Sequence, residues 1–220
     1  MTGAAPFRIV TERLVLRCYE PGDAPLVKEA IDSSLEHLRE FMDWAWAAPE
    51  PLEVIEERLG AFGELFADGR GWVYGLFSAD ESEYLGGAGL HPRLAPGALE
   101  IGYWIRASRV RQGLATEAAG ALTQIAFSWC DVEHVEIHVD PANGASLGVP
   151  AKLGYSREGV LAKRLPPVKP GGERRDMVVF SLSAEELAGS PCAEAFVEAF
   201  SSRTNRSAAQ PPSSRRSRWR

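Results

Sequence analysis

The stretch LEIGYWIRASRVRQGLATEAAGALTQIAFSWC, Leu99–Cys130, decides the fold of this chain. It begins with an apolar run over 99–105 and continues through a basic loop over 106–113. It ends in a segment whose apolar and small residues recur at intervals of three and four, which keeps one face of a helix buried; these are Ala118, Leu122, Ile125, Ala126 and Trp129. The stretch therefore predicts a strand, a basic turn and a helix in direct succession.

The basic turn has the chemistry of an anion site. The first turn of a helix leaves backbone N–H groups without partners and carries the positive end of the helix dipole. Gly113 lets a ligand approach the backbone, and the arginines at 106, 109 and 111 add charged donors. We interpret the turn as a site for a cofactor with a diphosphate. An ordinary strand–helix connection with solvated arginines explains the local pattern equally well.

Two common nucleotide sites are not predicted here. No Lys–Ser/Thr pair follows Gly113, as a P-loop requires, and no GxGxxG follows a strand, as a dinucleotide site requires.

Composition describes an ordinary globular chain with an unevenly spread charge. Of the 220 residues, 45% are hydrophobic and 25% charged, which is enough apolar material for a substantial core. Residues 201–220 hold six arginines and no acid, so residues 1–200 carry a net charge of −12 although the whole chain carries −6. An acidic body favours a cationic substrate and disfavours nucleic acid as the main partner.

The cysteines, the apolar runs and the N-terminal residues together predict a cytoplasmic protein. The three cysteines, Cys18, Cys130 and Cys192, have neither metal nor redox spacing, and the four histidines have no ligand spacing, so we expect no metal and a reducing, cytoplasmic setting. No apolar run approaches the ~20 residues that span a bilayer. The N-terminus lacks the pattern of a signal peptide, and no membrane partner is expected.

Alternation and helical spacing give a coarse order of elements. We predict strands over 8–18, 72–78, 84–91, 98–106, 134–139, 155–165 and 177–182. Helices are predicted after Asp23, over 52–66, after Gly113 and up to Leu153. This order indicates an α/β protein with a mixed, mostly antiparallel seven-strand sheet and helices on both faces. We expect a single domain over residues 1–190 and a flexible Arg/Ser/Pro-rich tail over residues 191–220.

Six motifs in this order resemble the GNAT superfamily of acetyl-CoA-dependent N-acetyltransferases. The branch they resemble includes the ribosomal-protein N-terminal alanine acetyltransferases. The motifs are TERLVLR at 11–17, SLEHLREFMDWA at 34–45, EIGYWI at 100–105, QGLATEA at 112–118, DPANGAS with KLGY within 140–155, and RDMVVFSL at 175–182.

The resemblance implies where acetyl-CoA would lie. It implies a splayed sheet in which pantetheine lies between the strands 99–106 and 134–139, and a pyrophosphate site on the loop and helix start around Gly113. The implied cofactor-binding residues are Trp104, Ile105, Arg106, Arg111, Gln112, Gly113, Leu114, Ala115, Thr116 and Asn143. Two features depart from the family. Val110 replaces the Gln or Arg that usually opens the loop, and Pro150 falls inside the short helix, where it either kinks the helix or marks a later start.

The resemblance also implies a direct transfer without a covalent intermediate. Glu100 is the candidate that orients or deprotonates the amine, and Ser146 is the candidate proton donor to the leaving thiolate. A half-exposed surface carboxylate and a serine that bonds only its own backbone are the plain alternatives. Trp44, Trp46 and Glu100 are the candidate substrate-binding residues, although the two tryptophans also fit a core. Core packing is the favoured role of Tyr155, but a catalytic role stays open, so the acid that protonates the thiolate is either Ser146 or Tyr155.

The sequence therefore predicts an N-acetyltransferase that moves an acetyl group from acetyl-CoA to a primary amine. The acceptor is a small molecule or a protein N-terminus, and a homodimer stays open. A non-catalytic acyl-CoA-binding sensor or recruitment module is the alternative, because Val110 and Pro150 depart from the family pattern.

Overall fold

A computed structural model describes residues 4–92 and 97–201. The chain forms one mixed sheet of nine strands in the order β7-β8-β6-β5-β4-β3-β2-β1-β9. The strands are β1 Arg8–Val10, β2 Leu14–Cys18, β3 Trp72–Ser78, β4 Tyr84–Pro92, β5 Ala98–Ile105, β6 His134–Val139, β7 Ser156–Leu165, β8 Arg175–Ser183 and β9 Glu198–Phe200. The α-helices are α1 Ala24–Asp32, α2 Leu35–Leu38, α3 Leu52–Ala67, α4 Leu114–Trp129 and α5 Gly144–Lys152.

The predicted mixed sheet with helices is confirmed, with nine strands instead of seven. All neighbouring strands are antiparallel except β5 and β6, which run parallel. One added strand arises because the predicted strand 8–18 is divided in two. The Thr11 N–H and the Leu14 carbonyl close a turn there at 2.9 Å, and the Thr11 hydroxyl accepts the Leu14 N–H at 3.1 Å.

The second added strand lies at the end of the described chain. β9 pairs with β1, and Phe200 is buried. Gln124 of α4 donates to the Ala195 carbonyl at 2.9 Å, and the Cys192 thiol lies buried beside the Leu153 carbonyl. Residues 191–201, which we assigned to the tail, are thus part of the folded unit. Residues 202–220 lie outside the described residues.

Two apolar cores flank the sheet. One core joins α1, α2 and α3 to the sheet face that carries Tyr19, Phe77 and Tyr84. The other joins α4 and α5 to the opposite face, which carries Leu90, Ile101 and Ile137 among others. Because residues alternate between faces along a strand, neighbouring residues of β5 belong to different cores. That alternation decides which side chains of β5 can meet which ligand.

Neither a membrane-spanning helix nor a cluster of metal-binding side chains is found within the described residues. No helix within 4–92 or 97–201 is both long and apolar enough to cross a bilayer. In the same residues, no group of three or more His, Cys, Asp or Glu side chains is placed to hold a metal ion.

Candidate active site

The sheet opens between its two parallel strands. β5 and β6 pair only over three residues, and the last pair is Glu100 with Glu136. Beyond it, β5 stays bonded to β4 as far as Ile105, and β6 stays bonded to β8 as far as Val139. The two strands therefore diverge, and we call the opening between 101–105 and 137–139 the strand gap.

The main chain of β5 offers hydrogen-bonding groups to the strand gap at alternate residues. The Arg106 N–H donates to the Leu85 carbonyl at 2.9 Å, so even-numbered residues of β5 bond to β4. The N–H and C=O groups of Tyr103 and Ile105 then face the gap. Of the predicted cofactor contacts on this strand, Ile105 points its main chain into the gap, whereas Trp104 and Arg106 point theirs toward β4.

The basic loop ends at an uncapped helix. Gly113 is the N-cap of α4 with φ +81°, and no side chain caps the helix. The N–H groups of Leu114, Ala115 and Thr116 precede the first intrahelical bond, which runs from Glu117 N–H to the Gly113 carbonyl at 3.0 Å. The loop before α4 also holds Arg111 in the left-handed region, with φ +62°. The fold thus presents three backbone donors at the positive end of a helix.

The loop arginines differ in their availability. Arg106 donates to Glu29 at 2.7 Å and to the Tyr84 carbonyl at 3.3 Å, and Arg109 forms a two-bond pair with Glu83. Both guanidinium groups tie the loop to the protein. Arg111 and Gln112 are exposed, and Arg111 makes no ion pair with any residue in the described ranges. Arg111 is therefore the loop arginine that is available to an anion, while the predicted Arg106 side chain is engaged elsewhere.

Arg13 is a cation near Gly113 that our sequence analysis missed. Its Nη1 donates to the Gln112 carbonyl at 2.7 Å, and its Nε donates to Glu117 at 2.6 Å. A β-carbon at Gly113 would lie 3.4 Å from Arg13 Nη2. The motifs TERLVLR and QGLATEA contain both partners, but 104 residues separate Arg13 from Glu117. No local pattern reveals such a contact.

Glu100 lies where the strand gap begins. Its side chain lies on the same face of the sheet as that of Trp104, which is four residues further along β5. The Nδ1 of His138 on β6 is 3.5 Å from Glu100 Oε1, and its Nε2 is 2.7 Å from Glu136 Oε2. The three side chains are partly or largely buried, at 19%, 9% and 28% exposure for Glu100, His138 and Glu136. This cluster brings two carboxyl groups and an imidazole together at the mouth of the gap.

The two predicted substrate-binding tryptophans have different surroundings. Trp44 lies in the turn after α2, and its ring centroid is 5.7 Å from that of Trp104. Trp44 therefore lies on the Glu100 face of the sheet. Trp46 is 37% exposed and stacks instead with two cations, Arg39 at 5.4 Å and Lys169 at 5.7 Å from its ring centroid. Trp46 thus borders the loop between β7 and β8.

Ser146 lies on the other face of the sheet, in the first turn of α5. Asn143 caps this helix by accepting the Ser146 N–H at 3.0 Å, so the predicted cofactor contact Asn143 uses its amide oxygen within the protein. The Ser146 hydroxyl lies 3.0 Å from the hydroxyl of Tyr103 on β5. The pair spans the strand gap on the side of α4 and α5. Tyr103 was not among the predicted site residues.

Pro150 leaves one carbonyl of α5 without its usual donor. The helix begins at Gly144 and contains Pro150, so the interpretation of a start near Val149 is wrong. Proline has no N–H for the carbonyl four residues earlier, which is that of Ser146. The Tyr103 hydroxyl approaches this carbonyl at 3.3 Å. Tyr103 therefore contacts both oxygen atoms of Ser146.

Tyr155 is directed away from the gap. Its hydroxyl lies 2.7 Å from Thr123 Oγ1, and Thr123 donates its own proton to the Ala119 carbonyl. Tyr155 must then donate its proton to Thr123. Burial raises the pKa of Tyr155 well above its ordinary value. These contacts favour the packing role that we assigned to this residue.

Residues 13–156 match the model of the acetyltransferase (GNAT) domain family. The chain belongs to this family. The matched residues include the strand gap, the basic loop, α4 and α5. The predicted family and its N-acetyltransferase class are therefore confirmed, and the protein is an acyltransferase by family.

Individual relatives of this GNAT domain point to one branch. It is 27% identical over 181 residues to the "Putative ribosomal N-acetyltransferase YdaF" of Bacillus subtilis (strain 168), covering 82% of this chain and 96% of that one. Mycobacterium smegmatis RimJ in complex with CoA-disulfide has a TM-score of 0.74 at 22% identity, covering 88% and 95% of the two chains. RimL, a ribosomal L7/L12 alpha-N-protein acetyltransferase in complex with CoA, has a TM-score of 0.70 at 20% identity, covering 79% and 96%. The GNAT fold is thus shared along nearly the whole length of these relatives.

Proposed function

We propose that this protein transfers the acetyl group of acetyl-CoA to a primary amine, with the strand gap as its active site. The observation that carries the proposal is the divergence of β5 and β6 directly after Glu100. Since the strands are parallel, the loops that follow them leave at the same edge of the sheet, and α4 and α5 both begin there. An elongated thioester with an anionic end fits between these two helix N-termini.

The residues around the gap fit the coenzyme. We assign the pantetheine amides to the main chain of Tyr103 and Ile105, which adds a strand-like partner to the open edge. The pyrophosphate is assigned to the N–H groups of Leu114, Ala115 and Thr116, with Arg111 and Gln112 as further donors. Gly113 leaves the approach open because it has no β-carbon. Arg111 thereby supplies a charged donor beside Val110, where the family pattern has lost one.

The chemistry divides between the two faces of the sheet. Acetyl-CoA supplies an activated acetyl group as a thioester. Glu100 accepts the proton that the amine loses as its nitrogen bonds to the acetyl carbon and the C–S bond breaks with its electron pair on sulfur. Ser146 donates its hydroxyl proton to the sulfur and regains a proton from solvent, which balances the proton that Glu100 takes from the amine and returns to solvent. No nucleophilic side chain is required, because the amine attacks directly.

For the acceptor, we propose the N-terminus of a protein as the first candidate and a small-molecule amine as the second. The names of YdaF, RimJ and RimL support the first candidate. Trp44 and Trp104 form an aromatic wall on the Glu100 face, where an acceptor would approach.

The test separates binding from turnover. Calorimetry with CoA and acetyl-CoA measures affinity, and thiol release is measured with peptides that begin with Ser or Ala, with free amino acids and with spermidine. We expect binding of CoA and turnover with at least one amine. Binding without turnover across the panel would favour the sensor module, and no binding would overturn the proposed site.

Glu100→Gln tests the base. Loss of a positioned acid–base group lowers kcat by roughly 10²–10⁴-fold, and the affinity for CoA should not change, because the amide keeps the shape. Glu57→Gln is the matched control, since Glu57 is exposed on α3. Equal rates in Glu100→Gln and the parent would remove Glu100 from the mechanism.

A further inference from the structure

We propose that Tyr103 is a positioning residue for the leaving-group step: its hydroxyl donates to Ser146 Oγ and so directs the Ser146 proton into the strand gap. This inference rests on the proposed function, because it concerns the sulfur of CoA. It assigns a role to a side chain of β5 that contacts the first turn of α5.

The first argument is geometric. Tyr103 Oη lies 3.0 Å from Ser146 Oγ and 3.3 Å from the Ser146 carbonyl. A hydroxyl group has one proton to donate, and each hydroxyl oxygen also accepts. When Tyr103 donates to Ser146 Oγ, the serine proton must point elsewhere. Asn143 already accepts the Ser146 N–H at 3.0 Å, which fixes the backbone from which the serine side chain projects.

The second argument concerns protonation. Burial raises the pKa of Tyr103 to about 12. The phenol therefore keeps its proton at neutral pH and donates a hydrogen bond without ionising. A donor that stays un-ionised near neutral pH can hold Ser146 in one orientation throughout the reaction.

The third argument explains why the pair is held in place. Pro150 removes the N–H that would otherwise bond to the Ser146 carbonyl. That carbonyl lies 3.3 Å from the same Tyr103 hydroxyl, so the single phenol proton is shared between the two oxygen atoms of Ser146 in a three-centre bond, with the shorter contact to Oγ. Proline thus couples the helix backbone to a side chain on the neighbouring strand.

The experiment measures the ionisation of the CoA thiol in the binary complex, which requires no acceptor amine. The ultraviolet absorbance of the thiolate is titrated with CoA bound to the parent, Tyr103→Phe, Ser146→Ala and the double variant. If the hydroxyl pair faces the sulfur, the thiolate is stabilised in the parent. Tyr103→Phe should then lower the acid dissociation constant of bound CoA about two- to tenfold, the range of one net hydrogen bond.

The double variant distinguishes positioning from an independent effect. If Tyr103 acts through Ser146, the double variant shifts the thiol pKa no further than Ser146→Ala alone. The matched control is Tyr155→Phe, which removes a buried hydroxyl of the same core that contacts Thr123 instead of Ser146. We expect this control to titrate like the parent.

Each other outcome overturns the inference. Tyr103→Phe that binds CoA and titrates like the parent would do so, as would shifts that add in the double variant. If Tyr103→Phe does not fold, Ser146→Ala decides, because an unchanged thiol pKa in that variant leaves nothing for Tyr103 to position. Failure of the parent to bind CoA would instead refute the proposed function and the inference with it.

Discussion

At the scale of single residues, Gly113 shows how a backbone angle can serve a site. Its φ of +81° places it in a region that costs other residues roughly 1–2 kcal/mol. A β-carbon there would lie 3.4 Å from Arg13 Nη2, and we expect a larger side chain to cover the first N–H groups of α4. The glycine is thus needed both for the turn and for access to the helix end.

We predict that Gly113→Val abolishes measurable CoA binding and lowers the melting temperature. Gly69→Val is the control, because Gly69 also has a positive φ, +64°, and no atom within 4 Å of an added β-carbon. The control should share the loss of stability and keep the affinity. Calorimetry and thermal melting measure the two effects, and retained CoA affinity in Gly113→Val would mean that the phosphate loop lies elsewhere.

Glu81 gives a prediction about acid stability. The hydrogen bond from Arg8, together with that from Arg17, lowers the pKa of Glu81 below its ordinary value. The unfolded chain then binds the proton more readily, with a pKa of about 4.3, so this ion pair stabilises the fold above that pH. Its contribution is lost as the pH falls through the lowered pKa of the folded state.

The measurement is urea unfolding between pH 7 and pH 3. We expect the free energy of unfolding to fall more steeply below about pH 4 in the parent than in Glu81→Gln, which has no proton to gain there. Glu57→Gln changes an exposed residue that makes no ion pair within the described part of the chain, and its free energy of unfolding should decline as that of the parent does. Identical slopes in Glu81→Gln and the parent would contradict the prediction.

At the scale of elements, Glu117 anchors the first turn of α4 to the turn between β1 and β2. It accepts the Thr11 hydroxyl at 2.6 Å, the Arg13 N–H at 2.9 Å and Arg13 Nε at 2.6 Å. Its side chain is 10% exposed, whereas that of Arg13 is 46% exposed, so the ion pair itself adds little. The hydrogen bonds from Thr11 and the backbone carry the anchoring.

We predict that Glu117→Ala destabilises the protein by about 1–3 kcal/mol, because the Thr11 hydroxyl and the Arg13 N–H and Nε–H groups lose a charged acceptor. CoA affinity should fall as well, since the helix N-terminus loses its support. Urea unfolding and calorimetry measure both effects. Glu57→Ala is the control, and an exposed substitution of this kind changes stability by about 0.5 kcal/mol or less. A Glu117→Ala protein as stable as the control would show that α4 is held by its core face alone.

Periodicity predicted the elements, and its failures have physical reasons. The spacing of apolar residues placed α4 and β6 correctly, since both patterns are local. Thr11 divides the first strand through a turn bond that alternation does not encode. The strand β9 depends on pairing with β1 from almost two hundred residues away, and short segments carry no such signal.

The candidate site, like the fold, has features that local motifs predict and features that depend on contacts between distant residues. The family motifs indicated the loop and Ser146, but a motif does not say which main-chain groups face the gap. Strict alternation in EIGYWI would have separated Glu100, Gly102 and Trp104 from Ile101, Tyr103 and Ile105, and so could have suggested Tyr103. The contact between Tyr103 and Ser146 depends on the divergence of two strands, which only the three-dimensional structure defines.

At the scale of the whole molecule, residues 191–201 belong to the folded unit. Residues 191–201 add the edge strand β9 to the sheet, and they contact α4 through Gln124. We predict that a chain ending at residue 201 melts and turns over as the full chain does. A chain ending at residue 190 should melt at a clearly lower temperature, because it loses a strand and the buried Cys192 and Phe200. Equal melting of the two shortened chains would contradict this prediction.

The opening in the sheet also has a kinetic consequence. Glu100 and Ser146 lie on opposite faces of the sheet. We therefore expect acetyl-CoA and the acceptor amine to enter the strand gap from opposite faces, without competing for one entrance. The proposed direct transfer requires both reactants to be bound together, so we expect initial-rate plots with intersecting lines. An inhibitor that joins the two reactants would have to pass through the strand gap. Its linker would have to be long enough to reach from one face of the sheet to the other.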